Sequence, residues 1–289
     1  MARRRGLPHC GVVGNAYKIA ANPEKRVRFG LWKCRDCRKQ FTVKVGTVFG
    51  HARLPLHKML QAAYLLCSSK KGISAHQISR TLEVSLKAAW FLAHRIREAM
   101  APHNASIMGG LDKSVEVDET YTGGKERNRH RSRRRGDVGA KGKEAVFALI
   151  EQNGRVHFMH VASVTTKNLR EILIRQLHPG TKVMTDGAGQ YRHISDDFPH
   201  QSANHDAGEY VRGEAHTNTI EGYFSIIKRG IIGVYQHISQ QHLKRYLAEF
   251  DFRYNERAAL EVDDFSRTVK ALVGISGKRL SYRPGVTLR

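Results

Sequence analysis

The sequence predicts a mixed α/β (α+β) fold, and three stretches of the chain support this prediction. An alternating, strand-like run ends at Asp118, and a β-rich apolar run, Lys182 to Thr185, leads to Asp186 and two nearby glycines. A helix-like apolar stripe begins after Asn218. Strands that end in an acid followed by glycine are typical of α/β sheets, whose carboxyl edges usually carry the chemistry.

Charge is the unusual feature of the composition. The 289 residues include 49 Lys and Arg but 26 Asp and Glu, so the net charge is +23 and the pI is near 10.2. This excess predicts an anionic partner, with nucleic acid ahead of an acidic membrane. No apolar run approaches the roughly 18 residues of a membrane span, and no signal-peptide pattern follows the basic start. We therefore expect a nucleic-acid-binding protein without a membrane partner.

The N-terminal region is predicted to form a zinc-ribbon-like module. Its second cysteine turn, Cys34-Arg-Asp-Cys37, has the spacing of a zinc knuckle, whereas the first contains Cys10 and has Leu7 in the place of a second cysteine. Structural zinc is usually held by four ligands in a tetrahedron. Cys10, Cys34 and Cys37 are therefore candidate zinc ligands. His9 could supply a fourth ligand only with unfavourable geometry, because it directly precedes Cys10. A metal-free ribbon held by its aromatic side chains is the alternative.

The remaining cysteine, Cys67, falls on a helical stripe with Leu56, Leu60 and Ala63. Such a stripe predicts a buried position in a core rather than a metal ligand. With one C-x-x-C motif among its four cysteines, the chain suits an intracellular metal site better than a disulfide framework.

Two short helices joined by a tight turn predict a helix-turn-helix. Ser74 begins a capping-box pattern, and Ser85 is placed to cap the second helix after a turn at Glu83-Val84. In the second helix we expect apolar residues inward and basic residues outward: Trp90, Leu92, Ile96 and Met100 on one side, and Lys87, His94, Arg95 and Arg97 on the other. Because of the net charge, we assign Lys87 and Arg95 to DNA contact. A plain helical hairpin is the alternative.

The elements after residue 112 follow a recognisable order. In the first strand Val115 and Val117 share one face, and Glu116 and Asp118 share the other. The later elements are a hairpin of strands 145–150 and 156–161 across Asn153-Gly154, a helix starting at Thr165 or Thr166, the strand at 182–185, a possible strand near 200–204, and the helix from Asn218. This order is that of a ribonuclease H-like fold.

Three carboxylates at the ends of these elements are the candidate catalytic residues. Asp118 and Asp186 end strands, and Glu221 lies in the first turn of a helix. Their oxygen atoms suit a pair of Mg²⁺ ions, which keep open positions for a substrate. Asp186 before glycine is also an ordinary turn residue, and Glu221 is placed to close a capping box with Asn218. Lys228, two turns along, is expected to hold a phosphate, with a plain surface lysine as the alternative.

A basic loop follows the first strand. It contains seven Lys and Arg residues between positions 125 and 135, including Arg133 and Arg134, which we assign to DNA contact. Its position beside the acids favours phosphate binding, and a disordered, solvated insertion is the alternative.

Three motifs together resemble a known family. They are Val117-Asp118-Glu-Thr-Tyr-Thr-Gly-Gly124, Thr185-Asp186-Gly187, and His216-Thr-Asn218-Thr-Ile-Glu221-Gly-Tyr-Phe-Ser225-Ile-Ile-Lys228-Arg-Gly230. In this order, with the Cys34/Cys37 ribbon before them, they resemble the DDE transposases of bacterial insertion sequences, of the ISXO type related to the eukaryotic Merlin elements. The resemblance covers nearly the whole chain.

This resemblance implies a ribonuclease H-like domain that cleaves DNA at element ends and transfers strands, with Mg²⁺ or Mn²⁺ held by residues matching Asp118, Asp186 and Glu221. It also implies that His216 and Asn218 lie near the scissile phosphate or the metal. The implied partners are double-stranded DNA, of the element ends and the target, and further copies of the chain on that DNA. The implied location is the bacterial cytoplasm, at the nucleoid.

One departure from the family pattern leaves other functions open. Leu7 stands where the family usually has a cysteine, which bears on zinc binding and on activity. A transposase-derived DNA-binding regulator without nuclease activity is therefore an alternative. A host nuclease of the same fold is another, although it would not need an N-terminal module that reads DNA.

These predictions divide the chain into four regions. They are a zinc-ribbon-like module at 1–50, a helix-turn-helix region at 51–105, a ribonuclease H-like catalytic domain at 112–257, and a C-terminal helix with a basic tail at 258–289. Helices are predicted at 238–257 and 263–273. In the first of these, Arg245, Arg253 and Arg257 are expected outside the apolar face, as candidate DNA contacts.

Overall fold

The structure, a computed structural model, describes residues 6–102, 107–123, 130–133, 142–152, 154–203, 211–212 and 215–280. These residues form a small antiparallel sheet, a group of short helices and a larger sheet with helices on both faces. The mixed α/β class predicted from the sequence is therefore confirmed. None of the described helices combines the length and the apolar character needed to cross a membrane.

Three short strands build the N-terminal module. β1 (Ala16–Lys18), β2 (Trp32–Cys34) and β3 (Gln40–Phe41) pair as an antiparallel sheet with β2 in the centre. Cys34 is the last residue of β2 and lies opposite Ala16. The central strand therefore delivers this cysteine to the turn that carries Cys37.

Three helices follow, namely α1 (Leu56–Ser68), α2 (Ala75–Leu82) and α3 (Leu86–Met100). Both predicted caps are confirmed, because the Ser74 hydroxyl accepts from the Gln77 N–H and the Ser85 hydroxyl accepts from the Ala88 N–H. Cys67 is buried in the core, as predicted. Leu56 and Leu60 are exposed instead of buried, because the buried stripe of α1 runs through Met59, Ala62, Ala63, Leu66 and Cys67.

The larger sheet contains five strands. They are β4 (Ser114–Thr122), β5 (Glu144–Glu151), β6 (Val156–Val161), β7 (Lys182–Thr185) and β8 (His200–Ser202). Their order in the sheet is β6-β5-β4-β7-β8, with antiparallel pairing among β4, β5 and β6 and parallel pairing of β7 with both β4 and β8. The predicted hairpin and the possible last strand are confirmed. Asn153, the first predicted turn residue, lies outside the described residues.

Helices cover both faces of this sheet. α4 (Thr166–Gln176), capped by the Thr165 hydroxyl, packs on the face that presents Val115 and Val117. Short strands β9 (Val211–Arg212) and β10 (Ala215–His216) precede α5 (Asn218–Gly230), a π-helical turn (Ile231–Tyr235) and α6 (Gln240–Asn255). α5 and α6 pack on the opposite face, where Ile220 and Phe250 join the core.

Contacts from α6 reverse part of the prediction for α3. His94 and Arg97 are buried rather than outward, because Arg97 pairs with Glu249 at 2.5 Å and the His94 ring packs on Tyr246. Arg253 is buried as well, not outside the apolar face, and it pairs with the same glutamate. An arginine with a carboxylate partner can enter a core, and a pattern of apolar residues does not reveal this.

The last helix, α7 (Asp264–Val273), returns to the N-terminal half. Ala271 packs in the core shared by α1 and α3, and the Val48 N–H donates to the Ile275 carbonyl at 2.9 Å. The end of the described chain is therefore packed against its beginning.

Candidate active site

Asp118 and Asp186 are brought together by the pairing of two parallel strands. Glu116 of β4 is the register partner of Met184 of β7, and each aspartate lies two residues beyond that pair. Side chains at one level of adjacent strands are about 5 Å apart at their bases. The two carboxylates predicted from separate motifs are therefore neighbours. Asp186 directly follows β7, as predicted, whereas Asp118 lies within β4, which continues to Thr122, and not at a strand end.

Asp186 also belongs to a turn. Its Oδ1 accepts from the Ala188 N–H at 3.0 Å, and Gly187 between them has a φ of 80°, which favours glycine. Asp186 is thus a turn residue, as the alternative interpretation held, and it also lies beside Asp118. The turn fixes the orientation of the carboxylate at the strand end.

Glu221 is positioned through the start of α5. The Ile220 N–H donates to Glu116 Oε2 at 2.9 Å, which ties the first turn of the helix to β4. The capping box with Asn218 is not formed, because Thr217 occupies the N-cap position and its hydroxyl donates to Glu221 Oε1 at 3.4 Å. Glu116, which shares a face of β4 with Asp118, is fully buried and supports the start of this helix.

The acids of this site act on one another electrostatically. Burial raises the pKa of Asp118 to about 8, and the charges of Asp186, Glu119 and Glu221 add to this effect, while the Glu119 N–H opposes it. Burial and Asp186 raise the pKa of Glu119 too, against the hydrogen bonds from Tyr191 and from Gln190. Four carboxylates therefore share a region in which they repel each other.

A pocket of about 460 Å³ connects the acids to two cations. Asp118, Glu119 and Glu221 line it together with Ser225, Lys228 and Arg229 of α5. Lys228 is exposed and faces the same space as Asp118 and Glu221. The arrangement offers negative oxygens to a cation and a positive group to a phosphate.

The donor set fits a hard divalent cation. Mg²⁺ and Mn²⁺ prefer carboxylate oxygens, and a cation would relieve the repulsion that, added to burial, raises the pKa of Asp118. The three acids are less tightly grouped than the cysteines. Among the described residues, the cysteines are the only group of three or more His, Cys, Asp or Glu whose ligand atoms all lie within 4.8 Å of one another.

Cys10, Cys34 and Cys37 form that cysteine group. The sulfur atoms of Cys10 and Cys34 are 3.6 Å apart, and Asp36 Oδ2 lies 3.7 Å from the Cys34 sulfur. His9 is not part of the group; its Nε2 lies 3.3 Å from the Gln40 carbonyl. Three thiolates in this arrangement fit a zinc ion with one position open.

The residues assigned to DNA contact lie in several places. Lys87 is exposed in the first turn of α3, and Asn218 is exposed as the first residue of α5. Arg95 is half-buried, and its Nη1 donates to the Gly50 carbonyl at 2.8 Å and also to that of Val48. The backbones of Arg133 and His216 lie in a 3₁₀ turn and in β10, and their side chains, like all of Arg134, are outside the described residues.

Sequence reasoning missed the residues that orient the acids. Glu119 Oε1 accepts from Gln190 Nε2 at 2.6 Å, and Glu119 Oε2 accepts from the Tyr191 hydroxyl. Tyr191 is buried although it follows a glycine-rich turn. An aromatic residue five positions after Asp186 was the sequence feature that could have indicated this contact.

Half of this chain matches a known protein family, and most of it is similar to a known protein. Residues 110–255, about half of the chain, match the model of the ISXO2-like transposase domain. Over 258 residues the chain is 28% identical to an uncharacterized protein in transposable element ISH50 of Halobacterium salinarum, covering 82% of this chain and 84% of that protein.

Two solved structures show a weaker likeness. They are the crystal structure of the Mos1 strand transfer complex, at 13% identity, and the Mos1 transposase paired-end complex with left transposon end, at 14%. Each alignment covers 77% of this chain and 76% or 77% of the other, with a TM-score of 0.30.

The family match rests on the region that contains the candidate acids. Asp118, Asp186 and Glu221 all fall between residues 110 and 255. The transposase motifs read from the sequence and the matched domain therefore coincide. This chain belongs to the ISXO2-like transposase family.

Proposed function

We propose that this protein is an active DDE transposase, which binds the ends of its insertion sequence and catalyses metal-dependent DNA cleavage and strand transfer. One observation carries the proposal. Asp118 is half-buried among the charges of Asp186, Glu119 and Glu221, and it lines a pocket that Lys228 also lines. Clustered carboxylates beside a cation are what phosphodiester chemistry with divalent metals requires.

The acids and Lys228 each have a role in this proposal. Asp118, Asp186 and Glu221 would hold Mg²⁺ or Mn²⁺, which would supply activation of a water or a 3′-hydroxyl and stabilisation of the leaving oxygen. Lys228 holds a non-bridging phosphate oxygen with its ammonium group. Glu119 fixes the turn after Asp186 through Gln190 and Tyr191, whose side chains hydrogen-bond both of its oxygens.

The rest of the chain supports the same function. The strand order β6-β5-β4-β7-β8 agrees with a ribonuclease H-like domain. In it β4, β5 and β6 pair antiparallel, and β7 and β8 run parallel to β4. The α2–α3 pair is then a helix-turn-helix, and the cysteine group a zinc-ribbon site with three thiolates. The net charge of +23 suits binding to the duplex. Further copies of the chain bridge the two element ends in this proposal. The relative from transposable element ISH50 is consistent with such a role.

The test is a cleavage assay on a labelled duplex that carries the terminal repeat of the element. Wild type, Asp186→Asn and the control Asp196→Asn are incubated with Mg²⁺ or Mn²⁺; Asp196 is exposed and lies outside the pocket. We expect metal-dependent nicking and joining by wild type and Asp196→Asn, and none by Asp186→Asn. Cleavage by Asp186→Asn at the wild-type rate would overturn the proposed site.

The same assay separates the enzyme from a regulator. A transposase-derived DNA-binding protein would bind the duplex tightly and in a salt-sensitive way, and would not cleave it with either metal. That result would contradict the transposase proposal.

A further inference from the structure

A second cleft lies between the α2–α3 pair and the turn that follows α5. Its volume is about 1010 Å³; α2 and α3 form one wall, and residues 233–237 form the other. It shares no lining residue with the carboxylate pocket. The roles proposed above do not involve the wall formed by residues 233–237.

The side chains of this cleft suit an anion. Arg80 and Lys87 are exposed on the helical wall, and His76 and His237 add ring nitrogens from opposite walls. Asp and Glu are absent from the described residues that line it. The first turn of α2 faces the cleft as well, and a helix N-terminus adds partial positive charge. A polyanion is therefore favoured over a neutral ligand.

Aromatic side chains lie between the basic groups. Trp90 and Phe91 are half-buried in the lining, with ring centroids 5.3 Å apart in an edge-to-face arrangement. Basic residues interleaved with aromatic ones are typical of surfaces that bind nucleic acids. The volume also reaches the upper end of the roughly 300–1,000 Å³ range of small-molecule pockets, which suits a segment of a longer ligand.

Tyr235 holds the two walls together at the base of the cleft. Its hydroxyl donates to Glu249 Oε1 at 2.6 Å, and Arg97 of α3 pairs with Glu249 Oε2 at 2.5 Å. The same hydroxyl lies so close to Gly72, ahead of α2, that a Cβ there would come within 1.9 Å of it. The spacing of the walls is therefore set by packed, buried contacts.

We propose that this cleft binds the sugar-phosphate backbone of the element-end duplex, with Lys87 on one wall and Gln236 and His237 on the other. The inference rests on the proposed function and adds a second DNA-contacting wall to it. From Glu221 to Tyr235 the helical path is about 20 Å long at about 1.5 Å per residue, or roughly six base pairs at about 3.4 Å each. With the duplex running along α5, DNA held in the cleft lies about six base pairs from the phosphate at the acids.

Binding of a fluorescent terminal-repeat duplex tests the second wall. All variants are made in the full chain with Asp186→Asn, so that the DNA stays intact, and are compared over a range of salt concentrations. We expect His237→Ala, Gln236→Ala and Lys87→Ala each to weaken binding about three- to tenfold. Lys87→Ala, which removes a cation, should also lower the salt slope by about one. The control is His193→Ala, an exposed histidine outside the cleft, which should bind as the parent does.

The outcomes separate this inference from the proposed function. If Lys87→Ala weakens binding while His237→Ala and Gln236→Ala bind as the parent does, the second wall is wrong and the transposase proposal stands. If the parent protein binds no DNA, both fail. Circular dichroism of each variant shows whether a lost affinity comes from a lost fold, and a variant that unfolds is replaced by His237→Gln or Gln236→Ser.

Photo-crosslinking gives an independent readout of position. A photo-crosslinking residue in place of Gln236 should react with nucleotides about six base pairs from the cleavage site. A crosslink next to the cleaved phosphate, or none with the duplex that the protein binds, would overturn the placement of the DNA in this cleft.

Discussion

Leu7 and Cys34 occupy equivalent positions in two matching turns. The Leu7 N–H donates to the Val12 carbonyl at 2.8 Å, and the Cys34 N–H donates to the Lys39 carbonyl at 3.1 Å. Each residue thus bonds to the fifth residue after it, and each is followed three positions later by a cysteine. The first turn has the backbone of a zinc knuckle with one thiolate replaced by leucine.

We therefore predict that Leu7→Cys completes a four-thiolate site. Because structural zinc favours four ligands, zinc should bind at least about tenfold more tightly than to wild type. Cobalt titration followed by thiolate charge-transfer absorption, with zinc competition, measures the change. Leu7→Ser removes the leucine without adding a thiolate and should stay near wild type. Equal affinities of Leu7→Cys and wild type would mean that the turn does not aim residue 7 at the other sulfurs.

Glu119 is predicted to position Asp186 rather than to bind metal, because both of its oxygens accept hydrogen bonds from the turn after that residue. Tyr191→Phe removes one of these bonds and should slow DNA cleavage about 10–100-fold, with DNA affinity unchanged. Asp118→Asn should abolish cleavage. Single-turnover rates over a range of Mg²⁺ concentrations measure the difference.

Tyr64→Phe is the matched control for that prediction. Tyr64 is exposed on α1, so the loss of its hydroxyl should leave the cleavage rate unchanged. If Glu119→Gln is as inactive as Asp118→Asn at every metal concentration, Glu119 is itself a ligand.

Removing the charge of Glu249 is predicted to lower the free energy of unfolding more than removing any other single charge. Burial opposes its ionisation, but Arg253 and Arg97 outweigh burial and hold the pKa of Glu249 at about 2. Glu249→Gln leaves two buried guanidinium groups without a counter-charge, so the free energy of unfolding should fall by about 3–5 kcal/mol. Urea denaturation measures it. Glu171→Gln, which breaks an exposed pair with Arg175, should cost less than about 1 kcal/mol.

Local features of the fold could be predicted from the sequence. The alternation of Val115 and Val117 with Glu116 and Asp118 gave the correct faces of β4, because the side-chain period of a strand is two. The caps at Ser74 and Ser85 depend only on neighbouring residues, and they too were correct. Such patterns are short in sequence and need no tertiary partner.

Features that depend on distant partners could not be predicted. Glu116 supports the start of α5 across 104 residues, and Arg97 meets Glu249 across 152 residues. Charge alone suggested that Arg97 faces solvent, whereas its partner draws it into the core. The exposure of Leu60 has the same origin, since the packing of α7 and α3 decides which face of α1 is covered.

Asp251 should make the stability of the fold depend on pH, because its carboxylate is buried and only one of its two oxygens has a hydrogen-bond partner among the described residues. Its Oδ2 accepts from the Phe158 N–H at 3.1 Å and lies 3.4 Å from His157 Nδ1. Its Oδ1 is buried with no hydrogen-bond partner among the described residues. Burial raises the pKa of Asp251 to about 6, although His157 and the Phe158 N–H act in the opposite direction.

The folded chain therefore retains a proton on Asp251 that the unfolded chain, with a pKa of 3.8 at this residue, has already lost. A raised folded-state pKa gives stability that is complete below pH 3.8 and is lost as the pH rises through about 6. Asp251→Asn keeps the size and an acceptor oxygen but does not titrate. Relative to this variant, wild type should lose roughly 3 kcal/mol of unfolding free energy between these two pH values and no more above them. Urea denaturation across the pH range measures the difference, and parallel profiles of the two proteins would show that folding does not shift the pKa of Asp251.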